Sequence, residues 1–394
     1  MIKVYIGPNG YGKTYRLDKI KENLLNGGTS ESEIVFLESE ILLNEEIRDT
    51  KDSTMTMEFI INEILANDDI KNAQIQYEKL IDEAIEINQT KVNNIVDEVL
   101  MINETIREHP FISKTETKEY KKRVSINNKD YKNMGSGQKM HFLLRLLKES
   151  SRKYIFIDEP EQYSHPSLLN ITAMIINELS DLGKEVYLAT HSPKLLSMLN
   201  LNLRNIHLLN DKSHTIKTID FEEVTNNLSK LLPTMSLGKK EKSYYDSPSS
   251  LMSNINNHYS REFYESLLTK KVFICEGIFD ELFIKKVIKI KGESHTDYVI
   301  FKTYGKFLIP VFAEIYKSLG IETVIYFDKD NEESPHDKFN ALILSYNSIM
   351  FDAGKKMNNR IEEALGFVSS GNKGDVISFL AFLETLKIPG NYLY

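Results

Sequence analysis

The sequence predicts an α/β fold in two parts, each with a largely parallel sheet that carries its chemistry at the carboxyl edge. Three observations predict it. Short apolar runs at 4–6, 34–37, 154–157, 186–190, 271–275 and 323–327 alternate with stretches of helical periodicity. The first run leads directly into Gly7-Pro8-Asn9-Gly10-Tyr11-Gly12-Lys13-Thr14, which fits the Gly-x-x-x-x-Gly-Lys-[Ser/Thr] phosphate loop. Later runs end in acids: Asp158-Glu159, Glu276-Gly277 and Asp328-Lys329-Asp330. A nucleotide site joined to a strand-end carboxylate site fits few functions.

Composition narrows the class further. The chain has 394 residues, enough for two domains and an inserted piece. Apolar residues make up 41% and charged residues 27%, the balance of a soluble globular protein. A single cysteine, Cys275, excludes an internal disulfide framework and fits a reducing compartment. Residues 1–6 enter a strand at once, without the apolar core of a signal peptide, and no apolar run approaches membrane-spanning length. A cytoplasmic location is expected. The net charge of −8 argues against a generally basic nucleic-acid coat. One local exception surrounds Lys121-Lys122-Arg123, which is either a solvated strand edge or a DNA-facing patch.

Taken in order, the strand at 4–6 and the glycine loop precede a helix from about Thr14, and 34–37 forms a second strand. Tyr77, Leu80, Ile81 and Ala84, then Val92, Ile95, Val96 and Val99, recur at helical spacing. They predict a helical insertion over about 57–110 whose apolar faces pack on each other or on a partner subunit. A strand at 122–126 leads to Met134-Gly135-Ser136-Gly137-Gln138 and a helix through Leu147. The strand at 154–157 ends in Asp158-Glu159, and the strand at 186–190 ends at His191. Residues 233–261 turn polar and broken, with Pro233, Gly238 and Asp246-Ser247-Pro248, and read as a linker between domains at 1–232 and 262–394. Beyond it come strands at 271–275 and 323–327 and a helix at about 279–289.

A phosphate loop works because successive backbone N–H groups converge on a phosphate at a helix N-terminus. Gly7, Asn9, Gly10 and Gly12 shape that cradle, Lys13 reaches the β/γ phosphates, and the Thr14 hydroxyl ligates Mg²⁺. Asp158 is placed to hold the Mg²⁺ shell and Glu159 to polarise water, while His191 is placed near a γ-phosphate. Each has a plain structural alternative as a strand exit; their joint order favours an ATP site. In that order the motifs resemble an ABC-type ATPase head of SMC-like and OLD-family (overcoming lysogenization defect) proteins. Gly135-Ser136-Gly137-Gln138 resembles the ABC signature, and Glu159-Pro160-Glu161 with His165-Pro166 is similar to a run of that branch. The resemblance implies a homodimer or higher homo-oligomer, with Ser136, Gly137 and Gln138 closing over the partner's ATP. Two departures stand out. Gly135 replaces the usual first serine, and Glu38-Ser39-Glu40 stands where a Mg²⁺-linked glutamine is usual.

Carboxylates from neighbouring strand ends suit hard Mg²⁺ or Mn²⁺. Two such ions about 3.5–4 Å apart can activate water for phosphodiester cleavage. Glu276-Gly277 followed by Asp280, with Asp328-Lys329-Asp330, resembles a TOPRIM domain of the OLD type. There the resemblance implies a metal set of Glu276, Asp280, Asp328, Asp330 and Glu362, with Glu363 the nearby alternative, and Lys373 at the scissile phosphate. Cys275 reads as core, and His336 as a surface residue. The whole resemblance implies an ATP-regulated, Mg²⁺-dependent DNA endonuclease or nickase of antiphage defence, with DNA as partner and room for a companion defence protein. The rival reading is a sensor or scaffold ATPase whose TOPRIM part binds nucleic acid or protein without cutting. An SMC-like repair ATPase is disfavoured by the absence of sustained heptads.

Overall fold

The computed structural model describes residues 1–38, 111–112, 124–126, 129–130, 135–162, 167–209, 215–231, 248–258, 260–292, 298–330, 336–352, 360–367 and 375–394. The expected insertion at 57–110, the basic run at 121–123 and Lys373 lie outside them. The chain divides into two compact units, Met1–Leu201 with Asp211–His214, and Asn202–Asn210 with Thr215–Tyr394.

The first unit contains β1 (Ile2–Ile6), β2 (Ile34–Leu37), three short antiparallel strands β3 to β5 (Phe111–Ile112, Val124–Ile126, Lys129–Asp130), β6 (Tyr154–Asp158) and β7 (Glu185–Thr190). Its helices are α1 (Lys13–Asn26), α2 (Ser136–Glu149), α3 (Leu169–Asp181) and α4 (Pro193–Leu196). Strands β2, β6, β7 and β1 pair in that order, all parallel. Their burial runs almost without alternation, as in a parallel sheet covered on both faces. Val4, Ile6, Ile157 and Leu188 are fully buried, and Phe156 stacks on Tyr187 at 4.7 Å between ring centres. The register opposes Ile6 to Thr190 and Asp158 to Ala189. One sheet edge therefore carries the phosphate loop, Asp158-Glu159 and His191.

The second unit opens with the antiparallel pair β8 (Ile206–Leu209) and β9 (Ile216–Lys217), then α5 (Phe221–Leu231), α6 (Pro248–His258) and α7 (Ser260–Leu267). Part of the stretch read as a linker is thus helical. Leu251 and Ile255 are buried, so apolar residues four apart outweigh the polar composition around them. There follow β10 (Lys271–Cys275), α8 (Ile278–Lys291), β11 (Tyr298–Lys302), α9 (Ile309–Leu319), β12 (Glu322–Asp328), α10 (His336–Ile343), β13 (Ser348–Phe351), α11 (Ile361–Ala364) and α12 (Asp375–Thr385). The sheet order is β11-β10-β12-β13, parallel throughout. No described helix is long and apolar enough to cross a membrane.

Helix α8 starts at Gly277, whose N–H donates to the Asp280 carboxylate at 2.8 Å, and ends at Gly292 in the left-handed conformation (φ 69°). Its buried face carries Phe283, which meets Phe351 edge-on at 5.2 Å and Tyr326 at 6.0 Å. Aromatic side chains placed this way contribute beyond their buried area. Phe283→Ala is expected to cost about 3–5 kcal/mol in denaturant unfolding of the full chain. Ile377→Ala, at a side chain 74% exposed, is expected to stay within about 0.5 kcal/mol.

Candidate functional sites

In the first unit the loop between β1 and α1 turns back through Gly10 and Gly12, both at positive φ (80° and 82°). A Cβ at Gly10 would meet nothing within 4 Å, so backbone conformation, not space, calls for glycine there. Gly12 caps α1, which aims its free N–H groups into the loop. Lys13 is buried, its ammonium donating to the carbonyls of Gly7 (3.0 Å) and Pro8 (3.3 Å) and to Asn9 Oδ1 (3.3 Å). It also lies 3.1 Å from Glu159 Oε1. The Thr14 hydroxyl donates to Asp158 Oδ2 at 2.7 Å, which joins the loop to the end of β6.

Glu159 holds a left-handed φ of 43°, uncommon for a side chain of its size. Its amide donates to Ala189 O at 2.9 Å, and its carboxylate meets His191 Nδ1 at 3.3 Å. Glu161, given no role in the sequence reading, is the second anchor. It accepts from the Thr190 hydroxyl and from the His191 amide (3.0 Å), and lies 3.4 Å from His191 Nδ1. The signal for it was the Glu159-Pro160-Glu161 run. Burial pushes its carboxyl up, opposed by the Thr190 and His191 bonds.

The site fits a Mg²⁺ nucleotide on three counts: the N–H cradle, the caged ammonium, and Asp158 Oδ1. That oxygen is buried without a hydrogen-bond partner, and burial holds the Asp158 carboxyl above its usual range. Lys13, Thr14, Asp158, Glu159 and His191 converge here. Ser136, Gly137 and Gln138 instead form the first turn of α2 after Gly135, with Gly137 buried and Ser136 described in its backbone alone.

In the second unit the acids gather at the carboxyl ends of β10 and β12. Asp328 N–H donates to Glu276 Oε1 at 3.2 Å, tying the two strand ends together. Asp328 Oδ1 accepts the Ile361 amide at 2.7 Å, which seats α11 and with it the buried Glu362. Asp280, 3% exposed, keeps Oδ1 without a hydrogen-bond partner. Asp330 sits in a left-handed turn (φ 55°), with Oδ2 2.6 Å from Lys306 Nζ. The structure therefore places Glu276, Asp280, Asp328, Asp330 and Glu362 in one region. Lys306, Asn340 and Arg360 were missed. They come from three separate loops or helices, and no local motif marks them.

Comparison with known proteins bears on this unit. Residues 267–330 match the family model described as "Overcoming lysogenization defect protein-like, TOPRIM domain". By that match, residues 267–330 carry an OLD-like TOPRIM domain. The Old nuclease of Escherichia phage P2 is 40% identical over 63 residues, 15% of this chain and 11% of that protein. The crystal structure of Stu0660 of Streptococcus thermophilus aligns over 73% of this chain and 94% of its own at 16% identity and a TM-score of 0.33, a likeness too slight to carry an argument.

The TOPRIM acids are electrostatically poised. Burial pushes Glu276 up to about 7; Lys306 opposes this and Asp330 adds to it. Burial also holds Asp328 and Asp280 well above the carboxylate range, each raised further by neighbouring acids including Glu276 and Glu362. Among the described residues no three His, Cys, Asp or Glu side chains already stand in ligating geometry. Backbone amides and Lys306 occupy part of their oxygens. The donor set still fits a hard divalent cation, because it is all carboxylate, with Asp280 and Glu362 buried and Glu276, Asp328 and Asp330 half-buried, and has one orphaned oxygen on Asp280.

Cys275, fully buried with its thiol pushed up by burial, is core as read from sequence. His336 opens α10, described in its backbone alone.

The raised Glu276 carboxyl sets a pH dependence. The unfolded chain releases this proton near 4.5 and the folded chain near 7, so the group's contribution to stability is whole below 4.5 and is lost as pH rises through about 7. In metal-free protein the thermal midpoint is expected to fall between pH 5 and pH 8. Glu276→Gln flattens that fall, and added Mg²⁺ or Mn²⁺ offsets it most at the alkaline end. An unchanged slope in the variant would refute the assignment.

Proposed function

We propose that this protein is an ATP-regulated, Mg²⁺-dependent DNA endonuclease or nickase acting in antiphage defence. The observation that carries the reading is the convergence of Glu276, Asp280, Asp328 and Glu362 at one sheet edge of the OLD-type TOPRIM domain. Bound Mg²⁺ or Mn²⁺ would act as Lewis acid toward a phosphodiester and its attacking water.

The chain's own residues do the rest. Glu276, Asp328 and Glu362 would hold the cation, with Asp280 and Asp330 beside them. Gly277, whose missing side chain leaves the strand exit open, lets the DNA backbone come close to Glu276. Lys373 is assigned to the scissile phosphate from the family resemblance.

In the first unit Lys13 and the loop amides would bind the ATP phosphates, and Thr14 with Asp158 the accompanying Mg²⁺. Glu159, held between Lys13 and His191, is positioned to polarise a water at the γ-phosphate. Ser136, Gly137 and Gln138 would close a partner subunit's site, so that ATP sets a homodimer or larger assembly. This unit is thereby read as the ABC-type head expected from its motifs.

Purified protein is expected to nick or cut plasmid, linear or single-stranded DNA when Mg²⁺ or Mn²⁺ is supplied, with and without ATP compared. Glu276→Ala and Asp328→Ala should each lower the rate by about a hundredfold or more. No cleavage of any of these substrates by wild-type protein would overturn the nuclease reading in favour of nucleic-acid binding alone. Separately, Lys13→Ala should weaken ATP binding by about ten- to a hundredfold, the worth of one charge-assisted bond, measured by calorimetry. Unchanged affinity would refute the head assignment.

A further inference from the structure

Lys306 is the most unusual residue of the second unit. It is 2% exposed, and lysine is almost never fully buried unless paired. Thr303 and Gly305 put it there. The Thr303 amide donates to Cys275 O at 2.9 Å, beside Glu276, and the Thr303 hydroxyl donates to Gly305 O at 2.9 Å. Gly305 takes a φ of 156°, which starts the short helical turn Lys306–Leu308.

The ammonium is then held on three sides. It lies 2.6 Å from Asp330 Oδ2, donates to Asn340 Oδ1 at 3.0 Å, and stands 5.7 Å from the Phe327 ring centre. Asn340 also donates to Lys329 O at 2.7 Å, so one side chain fixes both Lys306 and the turn that carries Asp330. Its charge also favours the ionised form of Glu276, more strongly than that of Arg360. A cation so placed, with its own backing partner, is built into the cluster.

We propose that Lys306 is the resident cation of this site. Its ammonium holds the charge-compensating place at Asp330 that a second divalent ion would take, and the TOPRIM domain therefore loads one divalent ion, on Glu276, Asp328 and Glu362. Asp330 is then a positioning residue for the ammonium, not a metal ligand. This rests on the metal-dependent reading above and revises the two-ion arrangement that strand-end carboxylates can support. The geometry gives the reason: with one Asp330 oxygen on an ammonium at 2.6 Å, a dication beside it would meet like charge across a few ångströms.

The test is Mn²⁺ binding to the full, nucleotide-free chain, followed by calorimetry and by the electron paramagnetic resonance of free Mn²⁺. Wild type is expected to bind one ion. Lys306→Gln should expose a second site that disappears again in Lys306→Gln/Asp330→Asn. Asp330→Asn alone should keep the single site with affinity changed less than about threefold, whereas loss of a true ligand would cost about tenfold or more. Two sites in wild type, one or none in a folded Lys306→Gln, or a tenfold loss in Asp330→Asn overturns the proposal while leaving DNA cleavage untouched. Should Lys306→Gln fail to fold, the Asp330→Asn affinity decides alone. Absence of any binding to wild type overturns it together with metal dependence.

Discussion

The Asp328 amide donating to the Glu276 carboxylate is the bond on which the second unit's chemistry depends. Parallel pairing brings the ends of β10 and β12 side by side, but pairing stops at Ile274 with Ile325, short of the acids. The amide-to-carboxylate bond continues the join past the last paired residues. Asp328 then passes the constraint on, because its own carboxylate receives the Ile361 amide and so seats Glu362. Three acids from three segments, more than fifty residues apart at the first step, are fixed by two bonds to backbone N–H groups.

That arrangement is costly in isolation. Desolvation disfavours the charged form of each acid, and neighbouring carboxylates add to the penalty. The fold meets the cost in distinct ways: N–H donors at Glu276, Asp280 and Asp328, an ammonium at Asp330, and Arg360 near Glu276 and Glu362. What is left over is a demand for positive charge, expressed as carboxyls that keep their protons to higher pH. A site of this kind is tuned to bind cations, and its pH response follows from the same excess of negative charge.

The first unit solves a related problem differently. There the buried cation Lys13 is held by loop carbonyls and by Glu159, and the acids are shared out between Thr14, Thr190 and His191. Glu159 pays backbone strain to stand between Lys13 and His191. Glu161, one short turn later, ties the end of β7 to the same place. In both units a positive-φ residue directly follows or closely follows a strand-end acid, Glu159 after Asp158 and Asp330 after Asp328. The turn lifts the second acid out of line with the strand.

Sequence alone determined the α/β class and the strands that end in Asp158, Glu276 and Asp328; it marked the glycine-rich loop by its spacing, and resemblance to a TOPRIM domain added Asp280, Asp330 and Glu362. The first of these are local signals: apolar runs of strand length, a glycine spacing between a strand and a helix, and acids placed directly after strands. It passed over β11, whose Lys302 and half-buried positions blur the apolar run, and β13, where Ser348 opens a strand of four residues. It read helical residues at 248–258 as linker because composition there is polar, while two buried side chains decide the packing. Tertiary structure alone decided that Glu161 anchors His191, that Asn340 backs Lys306, and that Asp330 faces an ammonium. Those relations join residues 24 to 34 positions apart through side-chain bonds, and no periodicity along a chain encodes which distant partner a buried charge will find.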